Sequence, residues 1–170
     1  LDLLQLNNGS ASLVWLNDGA GSFRNTDAPN SFSHESAALG DVDGDGDLDV
    51  VTSFDSGGST GSLDWLRNDH NGEATPLTLF QLVDQEDVAL ADVDGDGDLD
   101  AFVARGSGQS DYVFLNDGTG NFTDSGQRLG VVSSVAVALA DFDGDGDVDA
   151  YVVHEGAPDT LYFNDGSGQF

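Results

Sequence analysis

Short apolar runs punctuate an otherwise polar chain, and they return in a fixed order. Val135–Ala140 (VAVALA), Ala150–Val153 (AYVV) and Leu161–Phe163 (LYF) follow one another between stretches of aspartate, glycine and asparagine. The same order begins again at Val88–Ala91 (VALA) and Ala101–Ala104 (AFVA), and Leu13–Leu16 (LVWL) is another copy of the third run. Runs of this length, rich in Val, Phe, Tyr and Leu and bounded by turn formers, predict strands. No segment sustains a 3.6-residue period, so almost no helix is expected.

The polar punctuation is periodic as well. DVDGDGDLD stands at Asp41–Asp49 and again at Asp92–Asp100, and DFDGDGDVD fills Asp141–Asp149. A second marker, NDGxGxF, occupies Asn17–Phe23, Asn116–Phe122 and Asn164–Phe170, with a worn copy, NDHNG, at Asn68–Gly72. Two unrelated markers keeping one phase identify a repeat of about 49 residues. The acidic stretch joins the first run to the second, and Asn-Asp-Gly suits the hairpin after the third, whose turn needs positive φ. A fourth, less regular segment completes the unit.

Four strands per unit predict an all-β chain of β-propeller blades; a parallel β-solenoid would have shorter repeats. Cut from turn to turn, the array reads as a partial blade at 1–23 and blades at 24–72, 73–122 and 123–170. Ala136, Ala138 and Ala140 suit an innermost strand. Trp15, Phe114 and Tyr162, each two residues before the turn asparagine, form an aromatic column expected to pack between blades. An Arg67 insertion is expected to displace Trp65 from that column.

Charge narrows the function. The 170 residues carry 32 acidic side chains against four arginines and no lysine, a net charge of −28. Nucleic acid and anionic membranes call for a basic surface, so neither is an expected partner. No apolar run approaches a membrane span. Without cysteine there is neither a disulfide nor a thiolate metal site. Fifteen of the acids lie in the three nonapeptides, and the rest of the chain is ordinary for a folded protein.

Within a nonapeptide, aspartates at positions 1, 3 and 5 bring three carboxylates to one side of a tight loop. Glycine at position 6 permits the turn, and residue 7 can offer its carbonyl. Ca²⁺ favours such a flexible, all-oxygen environment, whereas Mg²⁺ demands a smaller octahedral shell. An EF-hand is excluded, because it needs a glutamate at position 12 and flanking helices. Position 12 is Thr52, Val103 or Val152, and the flanks read as strands. The loop closes instead with aspartate at position 9.

DxDxDGxxD between short strands, repeated with a glycine-rich NDGxGxF turn, resembles the FG-GAP/VCBS repeat of integrin α-like propellers. The likeness implies three Ca²⁺ sites. Asp41, Asp43, Asp45 and Asp49 would supply side-chain oxygens and Asp47 its carbonyl. Asp92, Asp94, Asp96 and Asp100, with Asp98 by carbonyl, would repeat the role, as would Asp141, Asp143, Asp145 and Asp149, with Asp147 by carbonyl. The resemblance also implies a secreted or cell-surface setting.

Leu1-Asp2 aligns with Val148-Asp149, so the sequence is expected to start inside a fourth acidic loop. Other blades, of the same or a neighbouring chain, are then the expected partners, extending to a homo-oligomer or filament. The expected role is a non-catalytic, calcium-stabilised structural, adhesive or binding module, with a protein or glycan as a further ligand. The alternative is an accessory propeller of a secreted polysaccharide-active enzyme. His34, His70 and His154 share no repeat phase and are expected on surface loops, and no nucleophile motif is present. Asn8 and Asn121 begin glycosylation-type triplets, the latter within a turn motif. The long segment Ser53–Gly61 is the expected place for a partner.

Overall fold

A computed structural model describes residues 36–54, 61–68 and 77–170, together with the strand backbones at 3–5, 13–17, 23–27, 34–35, 55 and 74–76. Fourteen strands are found among them and no helix. They form antiparallel sheets in simple sequence order. The first sheet holds β1 (Leu3–Gln5), β2 (Leu13–Asn17) and β3 (Phe23–Asp27). The second holds β4 (His34–Gly40), β5 (Asp49–Asp55), β6 (Gly61–Asn68) and β7 (Ala74–Gln81). The third holds β8 (Gln85–Ala91), β9 (Asp100–Arg105), β10 (Tyr112–Asn116) and β11 (Phe122–Asp124). β12 (Ser134–Ala140), β13 (Asp149–His154) and β14 (Thr160–Tyr162) make the fourth.

Each acidic nonapeptide links the first and second strands of its sheet, and each turn asparagine closes the third strand. Hydrogen bonding therefore groups the strands in a different phase from a count made turn to turn: β7 pairs with β6 across Asn68–Gly72, and β11 pairs with β10 across Asn116–Phe122.

The sheets pack face to face, and the core lies in the seams. Val42, Val51, Leu63 and Trp65 of the second sheet meet Val88, Val103, Phe114 and Phe122 of the third. On its other face the third sheet offers Val93, Phe102 and Val113 to Leu129, Ala150 and Val152 of the fourth unit. Alternation along each strand sends neighbouring side chains to opposite seams, which is why β9 is buried over its whole length. The first strands crowd together, β4 beside β8 and β8 beside β12. Asp87 ties all three, accepting from the Ser36 hydroxyl on β4 and from Val137 N on β12 at 2.9 Å.

Phe114 and Tyr162 take the expected places between sheets. Two expectations are corrected by the register. Val50 pairs with Leu66, as Ala101 pairs with Phe114 and Ala150 with Tyr162, so Leu66 is the second sheet's member of that series. Arg67 is therefore a replacement and not an insertion; the extra length of this unit lies before β6. Trp65 belongs to the opposite face, where it packs on Gly120 of the third sheet's turn. The place of Trp15 in that column, His70 and Asn8 lie outside the described side chains, as does most of Ser53–Gly61.

A second bond type locks the seams. The Asn116 side-chain amide donates to Val42 O in the preceding sheet's loop at 2.8 Å and to Leu99 O in its own at 3.1 Å. Asn164 repeats this, to Val93 O at 2.6 Å and Val148 O at 3.0 Å. Asn116→Ala leaves the buried Val42 carbonyl without this donor and is expected to cost on the order of 1–3 kcal/mol, read by urea unfolding.

Candidate metal centre

The three acidic loops fold alike because each aspartate accepts backbone N–H groups a few residues ahead. In the first, Asp41 accepts from Gly44 N at 2.9 Å and Gly46 N at 3.0 Å. Asp43 accepts from Asp45 N at 3.3 Å and Asp45 from Asp47 N at 2.9 Å. The same four bonds recur from Asp92, Asp94 and Asp96, and again from Asp141, Asp143 and Asp145. Gly44 and Gly46 sit at φ 74° and 94°, in the left-handed region that side chains avoid, and their counterparts in the other loops do the same. Position 4 thus needs glycine as much as position 6.

This folding gathers carboxylates. One oxygen from each of Asp41, Asp43 and Asp45 lies within 4.8 Å of the others, and so it is for Asp92, Asp94 and Asp96. In the third loop the gathered set is Asp141, Asp143 and Asp149. Donors around one Ca²⁺ at about 2.3–2.6 Å can stand no further apart than about 5 Å, and the donors are all oxygen. The clusters fit a calcium ion. Each carboxylate has about four lone-pair sites, so accepting one or two N–H groups leaves room for a metal.

The remaining aspartates are placed differently. Asp49, Asp100 and Asp149 at position 9 are fully buried. Asp100 accepts from Val93 N and Asn116 N, both at 2.9 Å, so it clasps the start of its loop to the turn asparagine. Asp49 does this with Val42 N and Asn68 N, and Asp149 with Phe142 N and Asn164 N. The sequence contained a signal for the clasp, the shared phase of the two markers, but not its direction. At position 7 the carboxylates of Asp98 and Asp147 lie against Gly118 and Gly166 of the turns, and neither they nor Asp47 joins a gathered set.

Burial pushes the Asp100 carboxyl up to about 6, with the charges of Asp94 and Asp96 adding to it against the two N–H donors. Burial likewise raises Asp49, Asp94 and Asp143, and in each a neighbouring aspartate adds. In these four carboxyls burial, with neighbouring negative charge added to it, is expressed as a tighter hold on protons. The chain carries too few cations to offset that charge, and of the described arginines only Arg67 reaches a loop, with Nε 3.0 Å from Asp43 Oδ2.

A serine, a histidine and an aspartate also meet, away from the loops. The Ser134 hydroxyl donates to Asp111 at 2.9 Å and lies 3.2 Å from His154 Nδ1, while His154 Nε2 is 3.0 Å from the Thr160 hydroxyl. Ser134 is fully buried and its hydroxyl is committed to the carboxylate, so the group is a cross-strand brace lacking an accessible nucleophile. His154 is buried here, contrary to the surface position expected for it.

Stacked antiparallel sheets, each carrying an acidic loop between its first two strands and an asparagine turn after its third, define a blade-type repeat protein. The profile of the FG-GAP-like repeat matches residues 1–52 and 92–152, about two thirds of the chain. The chain belongs to the FG-GAP-like repeat family. No curated protein matches it. Repeats of this family often bind calcium and are typically non-catalytic.

A pH dependence follows for the metal-depleted protein. Asp100 holds its proton more tightly folded than unfolded, where it titrates near about 3.9. Its contribution is then fully present below about pH 4 and lost as the pH rises through about 6. Metal-depleted protein should melt higher at pH 5 than at pH 7.5, and Asp100→Asn should flatten that difference in calorimetric scans.

Proposed function

We propose that the chain is a calcium-stapled, non-catalytic scaffold in which the ions rigidify the joints between propeller blades. The observation that carries this reading is the coincidence of two features at one place. Each of the first two carboxylate clusters lies in a loop whose second residue accepts the asparagine amide of the following sheet. An ion held by Asp41, Asp43 and Asp45, or by Asp92, Asp94 and Asp96, would offset the repulsion that opposes closure of that loop. The position-9 aspartates would complete the shell, and the carbonyls of Asp47, Asp98 and Asp147 would add a backbone donor. Calcium would then stand where a disulfide stands in other exported proteins, which supports an extracellular or cell-surface setting for this cysteine-free chain.

The partner we propose is a further sheet of the same repeat type, from a neighbouring copy. In the third sheet, Val93, Phe102 and Val113 are at most 2% exposed because the fourth sheet covers them. Their register equivalents in the fourth unit, Phe142, Tyr151 and Leu161, are 46%, 37% and 37% exposed, and Phe163 beside them is 53% exposed. An Asn-Asp-Gly turn set against this face would bring its amide to Phe142 O, as Asn164 brings its own to Val93 O.

Removing calcium with a chelator should lower the melting temperature by at least about 10 °C, since each site at a hundredfold excess over its Kd contributes about 2.7 kcal/mol. An unchanged melting temperature would defeat the calcium reading. Asp96→Ala should reduce bound calcium by one ion per chain, whereas Asp98→Asn should leave it unchanged, as counted by atomic emission after dialysis. In sedimentation equilibrium the chain should self-associate with rising concentration, and Phe163→Asp should weaken this. A strictly monomeric parent protein would remove the neighbouring copy as the covering partner.

A further inference from the structure

The first two acidic loops share gathered carboxylates, glycines and internal hydrogen bonds, and the third shares the glycines and the bonds, so what stands beside each loop is the further difference between them. Register supplies the comparison. Arg67, Leu115 and Phe163 hold one equivalent position, directly before the turn asparagine of successive sheets. Leu115 packs into the seam with the fourth unit, and Phe163 lies on the uncovered face. Arg67 instead ion-pairs with Asp43, the third residue of the first loop and a member of its gathered set. The second and third loops have only uncharged carbon at this position.

The other two arginines with described side chains are occupied elsewhere. Arg105 bonds to Val83 O and Ser110 O, and Arg128 pairs with Asp124. Both guanidinium groups lie over the Tyr112 ring, at 4.5 and 3.9 Å from its centre. The side chain of Arg24 lies outside the described residues. Arg67 lies in residues 53–91, one of the two stretches that the family profile leaves unmatched.

We infer that Arg67 is a resident counter-charge that makes the first loop the weakest of the three calcium sites and the least strained when empty. This rests on the calcium reading above. Without an ion, the guanidinium offsets part of the repulsion among Asp41, Asp43 and Asp45. With an ion, the same positive charge opposes the incoming dication from 3.0 Å beside Asp43 Oδ2, a carboxylate of the gathered set. The protein would thus carry two tighter sites and one that responds to a higher range of calcium, at the seam between the second and third sheets.

Calorimetric calcium titration of the whole chain tests this, paired with melting in chelator and in saturating calcium. The parent protein should show two tighter sites and one about tenfold weaker. Arg67→Gln should tighten the weak site about tenfold, and Arg67→Lys should keep it weak. Asp41→Asn should delete the weak class, which also holds the idea to account if Arg67→Gln folds poorly. In chelator Arg67→Gln should melt below the parent, and in saturating calcium it should not. Three bound ions whose constants ignore Arg67→Gln overturn the inference, as does a weak class that vanishes with Asp92→Asn. A loss of melting temperature equal in both conditions assigns Arg67 to packing alone and overturns it too. No calcium uptake by the parent would instead defeat the calcium reading itself, and this inference with it.

Discussion

The bond from an asparagine side chain to the acidic loop of the preceding sheet is the contact on which the rest of the structure depends. Asn116 and Asn164 each have one amide nitrogen and spend it on two carbonyls, one in their own loop and one next door. The bond fixes how far one sheet is turned against another, because a sheet displaced along the seam would leave Val42 O or Val93 O buried without this donor. The apolar seams are non-directional and would tolerate sliding. Polar contacts at their rim set the register, and the loop that offers the carbonyl is shaped by its own aspartates.

That arrangement explains why so much acid can be tolerated in so small a span. The carboxylates serve first as backbone acceptors, and in that role they are satisfied whether or not a metal is present. Asp100 shows the cost: buried, with two N–H donors and two nearby negative charges, it keeps a proton to about pH 6. Loop geometry is thus written into the chain and the electrostatic penalty is left open. A divalent cation, as proposed above, would relieve the penalty while leaving in place the hydrogen bonds that make the loop.

The strand order, the antiparallel sheets and the loop positions were legible in the sequence because apolar runs and turn formers alternate at short range. The carboxylate triads at positions 1, 3 and 5 were legible for the same local reason in the first two loops. What lay hidden was information about faces. Counting back from Asn68 suggested that Arg67 was an extra residue, whereas β5–β6 pairing shows that the long connection before β6 absorbs the length. Trp65 and Leu66 are adjacent letters with opposite destinations, and only the register separates them. His154 falls near a glycine-containing turn and reads as surface, yet it ends a central strand and is braced by Ser134 and Thr160. The asparagine clasp spans more than 70 residues in sequence, beyond the reach of any local pattern.

The direction of that clasp has a consequence for how the chain acquires its structure. In both joints the donor lies in the later sheet and the acceptor in the loop of the earlier one. During synthesis the acceptor therefore emerges roughly 70 residues ahead of its donor. A sheet that forms in order of synthesis would thus meet a neighbour whose acceptor loop is already made, and each completed unit would be a template for the next. An error in one loop would be felt downstream, as a failure of the following sheet to seat, while the units before it stand.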